Sequence, residues 1–518
     1  MKMTDAAQAA LGVCIASAVI AMPWSGYDAL RLPVVLLATT VLFAAGATAE
    51  SDARPHRGAW WAAIAYLAAH VLSWFAAVDG WAAVTATMPV FAGFTVFVAV
   101  SRGWVGTKQV PLMAAGAAMA VGVAAFAARW KPGALVWALG NPNYAGCLCA
   151  ALAVLSSAGA VTESTTRRKI VCGAGAAIAA LGLWSTASRA GLVGLAVGMV
   201  VLAAVVSAPG KAKIGILAIV LAAGAAFGAG RIESIFSTTH ESNAVRIELW
   251  KGSGELALAH PAVGCGAGNF SAQYPPYRRE SEALLTMKTD PRFREAEDPH
   301  NTHLSVACEL GVPGVLAWMA LLGAVAWAAI RRRDASSAAG LAVVAALAAS
   351  GGFNTLREFT PFDVLFWLGA GLAARRDEPA PVGRRKVLAA AGMVASLIGV
   401  VIASLAAASE RAYYAASQGG EQEIPHLCVA VEAWPANVRA HFRLGAALRA
   451  KAAAAGEEDG PALLMTAVQH YEAVLRVRPY MIQALEALRR LYSALGEEEK
   501  ANRCFEKIAK ISAWYFGR

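Results

Sequence analysis

Apolar runs of about 20 residues recur along this chain with only short polar breaks between them. A helix that crosses a bilayer needs ~20 predominantly apolar residues. In hydrocarbon the backbone polar groups must be paired within the segment, so runs of this kind read as membrane-spanning helices. They fall at approximately 6–22, 30–49, 59–78, 81–100, 110–128, 143–161, 170–187, 190–207, 213–230, 303–330, 336–353, 361–374 and 387–408. The expectation is an all-α, polytopic membrane protein with about 12–13 transmembrane helices. The weakest segments are 336–353, which is rich in Ala and Gly, and 361–374, which is short. Composition agrees: 58% of the 518 residues are hydrophobic and only 15% are charged, against roughly a quarter charged in a soluble domain.

The formal charge of +10 could suggest a nucleic-acid partner on a soluble protein. Here the basic residues form short clusters between apolar runs, which reads as topology and not as nucleic-acid binding. With the N-terminus inside, the cytoplasmic loops carry Arg54 and Arg57; Arg102 and Lys108; Arg167, Arg168 and Lys169; Lys211 and Lys213; Arg331, Arg332 and Arg333; and Arg375, Arg376, Arg384, Arg385 and Lys386. The short outside loops carry only Arg31, Arg129, Lys131, Arg189 and Arg357. The alternation holds through every segment, as the positive-inside rule requires. The run from about Ala6 to Met22 lacks a small-residue cleavage site and reads as a retained first helix.

This topology divides the chain into spans over 1–230, an outside segment over 231–302, further spans over 303–408 and an outside tail over 409–518. The tail is charged and helical in pattern. Ala467 and Ala501 are 34 residues apart, as are Tyr471 and Phe505, and Pro479 closes a helix. That period resembles tetratricopeptide repeats, with "KAAAAGEEDGPA" expected as an inserted loop; a generic pair of helical hairpins is the plain alternative. Either is a binding or packing module. The eight cysteines form no CxxC and no zinc-like grouping, so no metal site is expected. Cys428 and Cys504 could pair only if the tail lies outside the cytoplasm.

Four polar clusters map to the outside face. "GNPNYAG" (Gly140 to Gly146) has turn chemistry suited to a helix entry. "STASRAGLVGLAVG" puts Arg189 in a very short turn between spans; an anchoring cation belongs on the other side, so anion binding is the stronger reading. "SNAVRIELWKGSGELALAHPAVGCGAGNF" opens as an amphipathic helix carrying Arg246 and Glu248. Its glycine-rich end lacks the lysine of a phosphate-binding loop and reads as a tight loop. "DPHNTHL" sets Asp298, His300, Asn301 and His303 at the entry to a span. A histidine beside an acid can act as general base near neutral pH, and arginines supply bidentate donors to phosphate. Together these groups suit a reaction in which a phosphate-linked group leaves and a hydroxyl attacks.

The order "SRAG", then R-x-x-x-W leading to HP-x-x-G-x-G-x-x-N-F, then HN-x-x-L-x-x-x-x-E-x-G-x-x-G resembles the O-antigen ligase and polymerase superfamily. The motifs cover roughly Gly140 to Gly314. The resemblance implies a GT-C-like bundle in a bacterial inner membrane, with the tail in the periplasm. It implies a glycosyltransferase that takes glycan from an undecaprenyl-diphosphate donor and needs no metal or nucleotide sugar. Arg189 and Arg246 would hold the diphosphate and His300 would activate the acceptor hydroxyl. Asp298, Asn301, His303 and Arg357 are additional candidates; for His303, a helix-entry residue is at least as good a reading. The acceptor would be a lipid A–core glycolipid for a ligase, a growing polymer for a polymerase, or a protein hydroxyl for an oligosaccharyltransferase. The tail mildly favours a protein partner. Arg278, Arg279, Lys288, Arg292 and Arg294 form either a basic lid facing the acceptor or solvated charge.

The rival class is a polysaccharide transporter or flippase. Transporters carry ionisable residues near the bilayer midplane, whereas here His70 is the main such residue within the spans and the polar groups gather at one face.

Overall fold

The computed structural model describes residues 3–17, 31–49, 52–128, 141–207, 209–210, 215, 241–289, 295–357, 359–376, 378 and 385–511. The described residues contain no strand, so the fold class is all-α. Helices run over Met3–Ala16 (α1), Arg31–Thr48 (α2), Arg57–Ser73 (α3), Gly80–Ser101 (α4), Val110–Ala128 (α5), Pro142–Thr162 (α6), Thr166–Thr186 (α7), Arg189–Val205 (α8) and Glu241–Ala259 (α9). They continue over Glu280–Thr289 (α10), Thr302–Arg332 (α11), Ala335–Gly351 (α12), Thr360–Ala374 (α13), Arg385–Ala416 (α14), Glu423–Ala433 (α15), Val438–Val477 (α16), Ile482–Ala494 (α17) and Glu498–Ile511 (α18).

Eight of the described helices, α2 to α7, α11 and α14, are long and apolar enough to cross a membrane. Four shorter apolar helices, α1, α8, α12 and α13, match the remaining expected segments except 213–230. All of that segment but position 215 lies outside the described residues, as do Arg129, Lys131, Lys211, Lys213, Arg292, Arg294 and Arg384.

Loops expected on one side meet at one end of the bundle. At the basic end, the Arg54 N–H donates to Glu378 O at 2.8 Å, the His56 N–H to Ala374 O at 2.7 Å, and the Ser207 hydroxyl to Arg333 O at 2.8 Å. At the other end, the Ser188 hydroxyl donates to Asn143 O at 3.3 Å and the Thr302 hydroxyl to Asn354 O at 2.9 Å. The loops that the charge pattern groups together thus share one end of the bundle. Without a hydrophobic drive between helices in lipid, close approach depends on small residues. A Cβ added at Gly182 of α7 would sit 2.6 Å from the Gly122 Cα of α5.

The tail forms its own hydrophobic cluster, from Ala412 to Ile508. The expected boundary near Ala408 falls inside α14, which carries Ala412 and Ala416 straight out of the bundle into that cluster. The expected inserted loop over "KAAAAGEEDGPA" is corrected: this stretch is helical within α16. The chain nevertheless folds back within α16. His441 Nδ1 and His470 Nδ1 lie 3.0 Å apart, whereas a straight helix would separate positions 29 residues apart by ~43 Å. Cys428 and Cys504 are free thiols.

Candidate active site

The segment between α9 and α11 is locked to the bundle through a break in α11. Gly311 has φ 63 and ψ −160, and Pro313 follows. A proline has no N–H for the carbonyl four residues before it, so Glu309 O loses its helical donor. Gly266 N–H replaces it at 3.1 Å, and Cys265 N–H donates to Cys308 O at 2.8 Å. The Val312 N–H, which would have served Cys308, turns to Pro261 O at 2.9 Å. The glycine-rich stretch is thus a tight loop, as expected. A Cβ on Gly264 (φ +72) would lie 2.2 Å from the Glu309 carbonyl carbon. Asn269 ties the same loop to the start of α4: its Oδ1 accepts from Asp79 N at 2.8 Å and its Nδ2 donates to Asp79 O at 3.1 Å.

On this platform, Arg189 and Arg246 line one pocket with Asn143, Asn243 and Phe353. Arg189 opens α8 directly after Ser188, whose Oγ caps the helix by accepting from Gly191 N at 3.1 Å. Arg246 comes from α9. Burial and the neighbouring charge of Arg189 lower the proton affinity of Arg246, while Asp298 works in the opposite direction. Two half-buried guanidiniums, together with the N-terminal ends of α6 and α8, make an environment that favours an anion.

Beside it stands the Asp298–His300 pair. The carboxylate Oδ1 of Asp298 lies 3.1 Å from His300 Nδ1, and the same oxygen accepts from His300 N and from the Thr355 hydroxyl, each at 2.6 Å. His300 has φ +50, a conformation uncommon outside glycine that persists where surrounding contacts fix it. Those contacts are the turn closed by Asp298 and the neighbouring Asn301, whose N–H donates to Thr355 Oγ1 at 3.2 Å. Asn301 caps α11, its Oδ1 accepting from His303 N at 2.9 Å and Leu304 N at 3.0 Å. With Nδ1–H held by the carboxylate, Nε2 of the nearly half-exposed His300 is the nitrogen left to accept a proton. Burial works to lower the pKa of His300, but the charge and hydrogen bond of Asp298 outweigh it and the net shift is upward. Burial works to raise the pKa of Asp298, but His300 and Thr355 outweigh it and the net shift is downward.

His303 faces the other way. Its Nδ1 accepts from Trp318 Nε1 at 3.0 Å, so its Nε2 carries the hydrogen and donates to Ala348 O at 3.0 Å. Arg357 is also turned into the bundle and does not line the pocket of Arg189 and Arg246. It is ion-paired with Glu309, donates from Nε to Ser305 Oγ at 3.1 Å and meets His70 Nε2 at 2.9 Å. A guanidinium only donates, so His70 Nε2 accepts and its Nδ1–H goes to Tyr66 O at 3.0 Å. The expectation that His70 stands nearly alone within the spans is thereby corrected. A buried acid is stable when a cation compensates it, and Glu309 has Arg357.

Of the basic residues after Tyr274, Arg278 is buried against Glu282 at 3.1 Å and Arg279 pairs with Glu255 at 2.8 Å and Glu248 at 3.2 Å. Both charges are taken up by acids of α9 and α10. Sequence reasoning missed Thr355, which carries no motif, and the anchoring role of Trp250, whose only signal was the R-x-x-x-W spacing.

The helix bundle and the clustered polar groups define a multi-pass membrane protein with a cationic pocket and a histidine–carboxylate pair at one end. A family model described as O-antigen ligase matches residues 174–319, a stretch that runs from α7 through α8, α9 and the glycine-rich loop into α11 and contains Arg189, Arg246, Asp298 and His300. The match supports the O-antigen ligase superfamily, a family of membrane glycosyltransferases of the ligase and polymerase type. No curated protein matches the chain.

Proposed function

We propose that the protein is a membrane glycosyltransferase that moves a glycan from an undecaprenyl-diphosphate donor to an acceptor hydroxyl, in the manner of an O-antigen ligase acting on a lipid A–core glycolipid. The observation that carries this reading is the convergence of Arg189, from a turn between spans, and Arg246, from the outside segment, on one pocket beside Asp298–His300. In this reading the acceptor hydroxyl gives its proton to His300 Nε2 and its oxygen bonds to the anomeric carbon. The bond from that carbon to the phosphate oxygen breaks, and undecaprenyl diphosphate leaves with the electron pair. Arg189 and Arg246 stabilise the charge that builds on the leaving diphosphate. Asn301 holds the entry to α11, and Asp298 fixes the imidazole. The site would face the periplasm of a bacterial inner membrane, with the repeat-like tail on the same side and free to engage a protein partner.

The test is surface-glycan analysis by gel after single replacement of Arg189, Arg246 and His300 by alanine at matched protein levels. Loss of capping with accumulation of lipid-linked glycan supports the ligase. Loss of long chains with single units retained makes it a polymerase, and loss of glycan from proteins alone makes it an oligosaccharyltransferase. Normal glycans in all three variants overturn the transferase reading.

A further inference from the structure

A second cavity lies between the bundle and the tail. It has a volume of about 470 Å³ and is lined by groups that include Asp79, Glu297, Glu410, Trp434, Arg439 and Arg478. That is within the range of small-molecule sites, ~300–1,000 Å³. One wall comes from the start of α4 and the glycine-rich loop, the other from α16 and the turn before it. The walls are joined at the Trp81 and Trp434 rings, 4.9 Å between centroids, and by the Ile482 N–H donating to Glu295 Oε1 at 3.2 Å.

The lining is three carboxylates against two guanidiniums with an indole among them. It offers both acceptors and donors and one amphipathic aromatic surface. A lipid tail would leave the charged groups without water, and a strongly charged ligand would meet its own sign on one side. A polyhydroxylated ligand fits both the hydrogen-bonding groups and the indole. The groove also adjoins the transfer site. Glu297 is three residues from His300, a reach of ~10 Å at most along extended chain, and its charge acts on both His300 and Arg439.

We propose that this groove is the acceptor site and holds a short stretch of carbohydrate with one hydroxyl presented to His300. The assignment rests on the transferase reading and deepens it by giving the tail a part in substrate binding.

The test titrates the purified full-length protein in detergent with two probes: lipid-free core oligosaccharides released from lipopolysaccharide by mild acid, and undecaprenyl diphosphate in micelles. The variants are Trp434→Ala, Glu297→Gln and Thr85→Trp. The last fills the groove from a partly exposed position of α4 without removing any packing. The expected result is at least tenfold weaker oligosaccharide binding in all three, with undecaprenyl diphosphate binding unchanged. Arg189→Ala should show the reverse pattern. Oligosaccharide binding that is absent, or indifferent to Thr85→Trp, while undecaprenyl diphosphate still binds overturns the groove assignment alone. The same holds if a Ser/Thr-rich peptide is the probe that binds and is displaced by the groove variants. Failure of the wild type to bind either probe overturns the transferase reading and the groove with it.

Discussion

The indole N–H of Trp250 donates to the carbonyl of Pro299 at 2.9 Å, and this contact couples the two halves of the candidate site. Trp250 lies four residues after Arg246 on α9, so the two side chains share one helical face. Pro299 immediately precedes His300. One hydrogen bond therefore sets the cation and the candidate base in register. Trp250→Phe keeps the ring and removes the donor. A net hydrogen bond is worth ~0.5–1.5 kcal/mol, so transfer at saturating donor should fall by about 3- to 10-fold while donor affinity holds. Equal losses of affinity and rate would show that Trp250 contributes only to folding.

His300→Ala should lower transfer by ~10²–10⁴-fold, the usual contribution of a positioned general base. Gel analysis of surface glycans at equal protein levels checks it.

The pH dependence follows from the shift of His300 above its ordinary value. Only the neutral imidazole accepts a proton, so transfer should climb as pH rises through a pKa above the usual ~6.5. Asp298→Asn removes the carboxylate that raises the value, and the climb should move to lower pH. The sign for stability is opposite for the two partners. The raised histidine stabilises fully below its unfolded pKa and loses this as pH rises through its folded pKa. The depressed Asp298 stabilises above its unfolded pKa and loses this as pH falls through its folded pKa. The pair therefore stabilises most between the ordinary aspartate and histidine values, ~3.9 to ~6.5. A rate profile unmoved by Asp298→Asn would exclude His300 as the titrating base.

Arg189→Ala and Arg246→Ala should each cost transfer ~10²–10³-fold, as expected for one lost donor to a developing oxyanion. Lysine at either position should recover only part of this, because it supplies charge without the planar fork. Undecaprenyl diphosphate binding should weaken in parallel, which titration in micelles reads directly.

Glu309→Ala leaves the Arg357 cation buried without its acid. Breaking a buried pair from one side costs ~3–5 kcal/mol, so detergent-solubilised protein should lose thermal stability sharply, and Glu309→Ala with Arg357→Ala together should lose less than the sum. Strict additivity of the two would show that the pair is not coupled.

The spans, and which of their loops share an end of the bundle, were legible in the chain because both signals are local. Each apolar run is long enough by itself, and each basic cluster marks its own loop. Arg189, Arg246 and His300 stood out as candidates for a related reason: a cation or a histidine at the edge of a span is out of place wherever the rest of the chain goes. Within Lys451–Ala462 the Gly and Pro mark where the chain folds back, so that Phe442 of one arm packs on Tyr471 of the other, but sequence did not show that both flanks of this reversal are helical. The same limit applies to Arg357. From sequence it is one more outside arginine, and only the fold brings Glu309 within reach and turns the side chain inward. Sequence alone determined the membrane class, which loops share an end of the bundle, and the residues worth suspecting. Tertiary structure decided which of them share a pocket, because that depends on contacts between positions some 50 residues or more apart, such as Asp298 with Thr355, which no local pattern encodes.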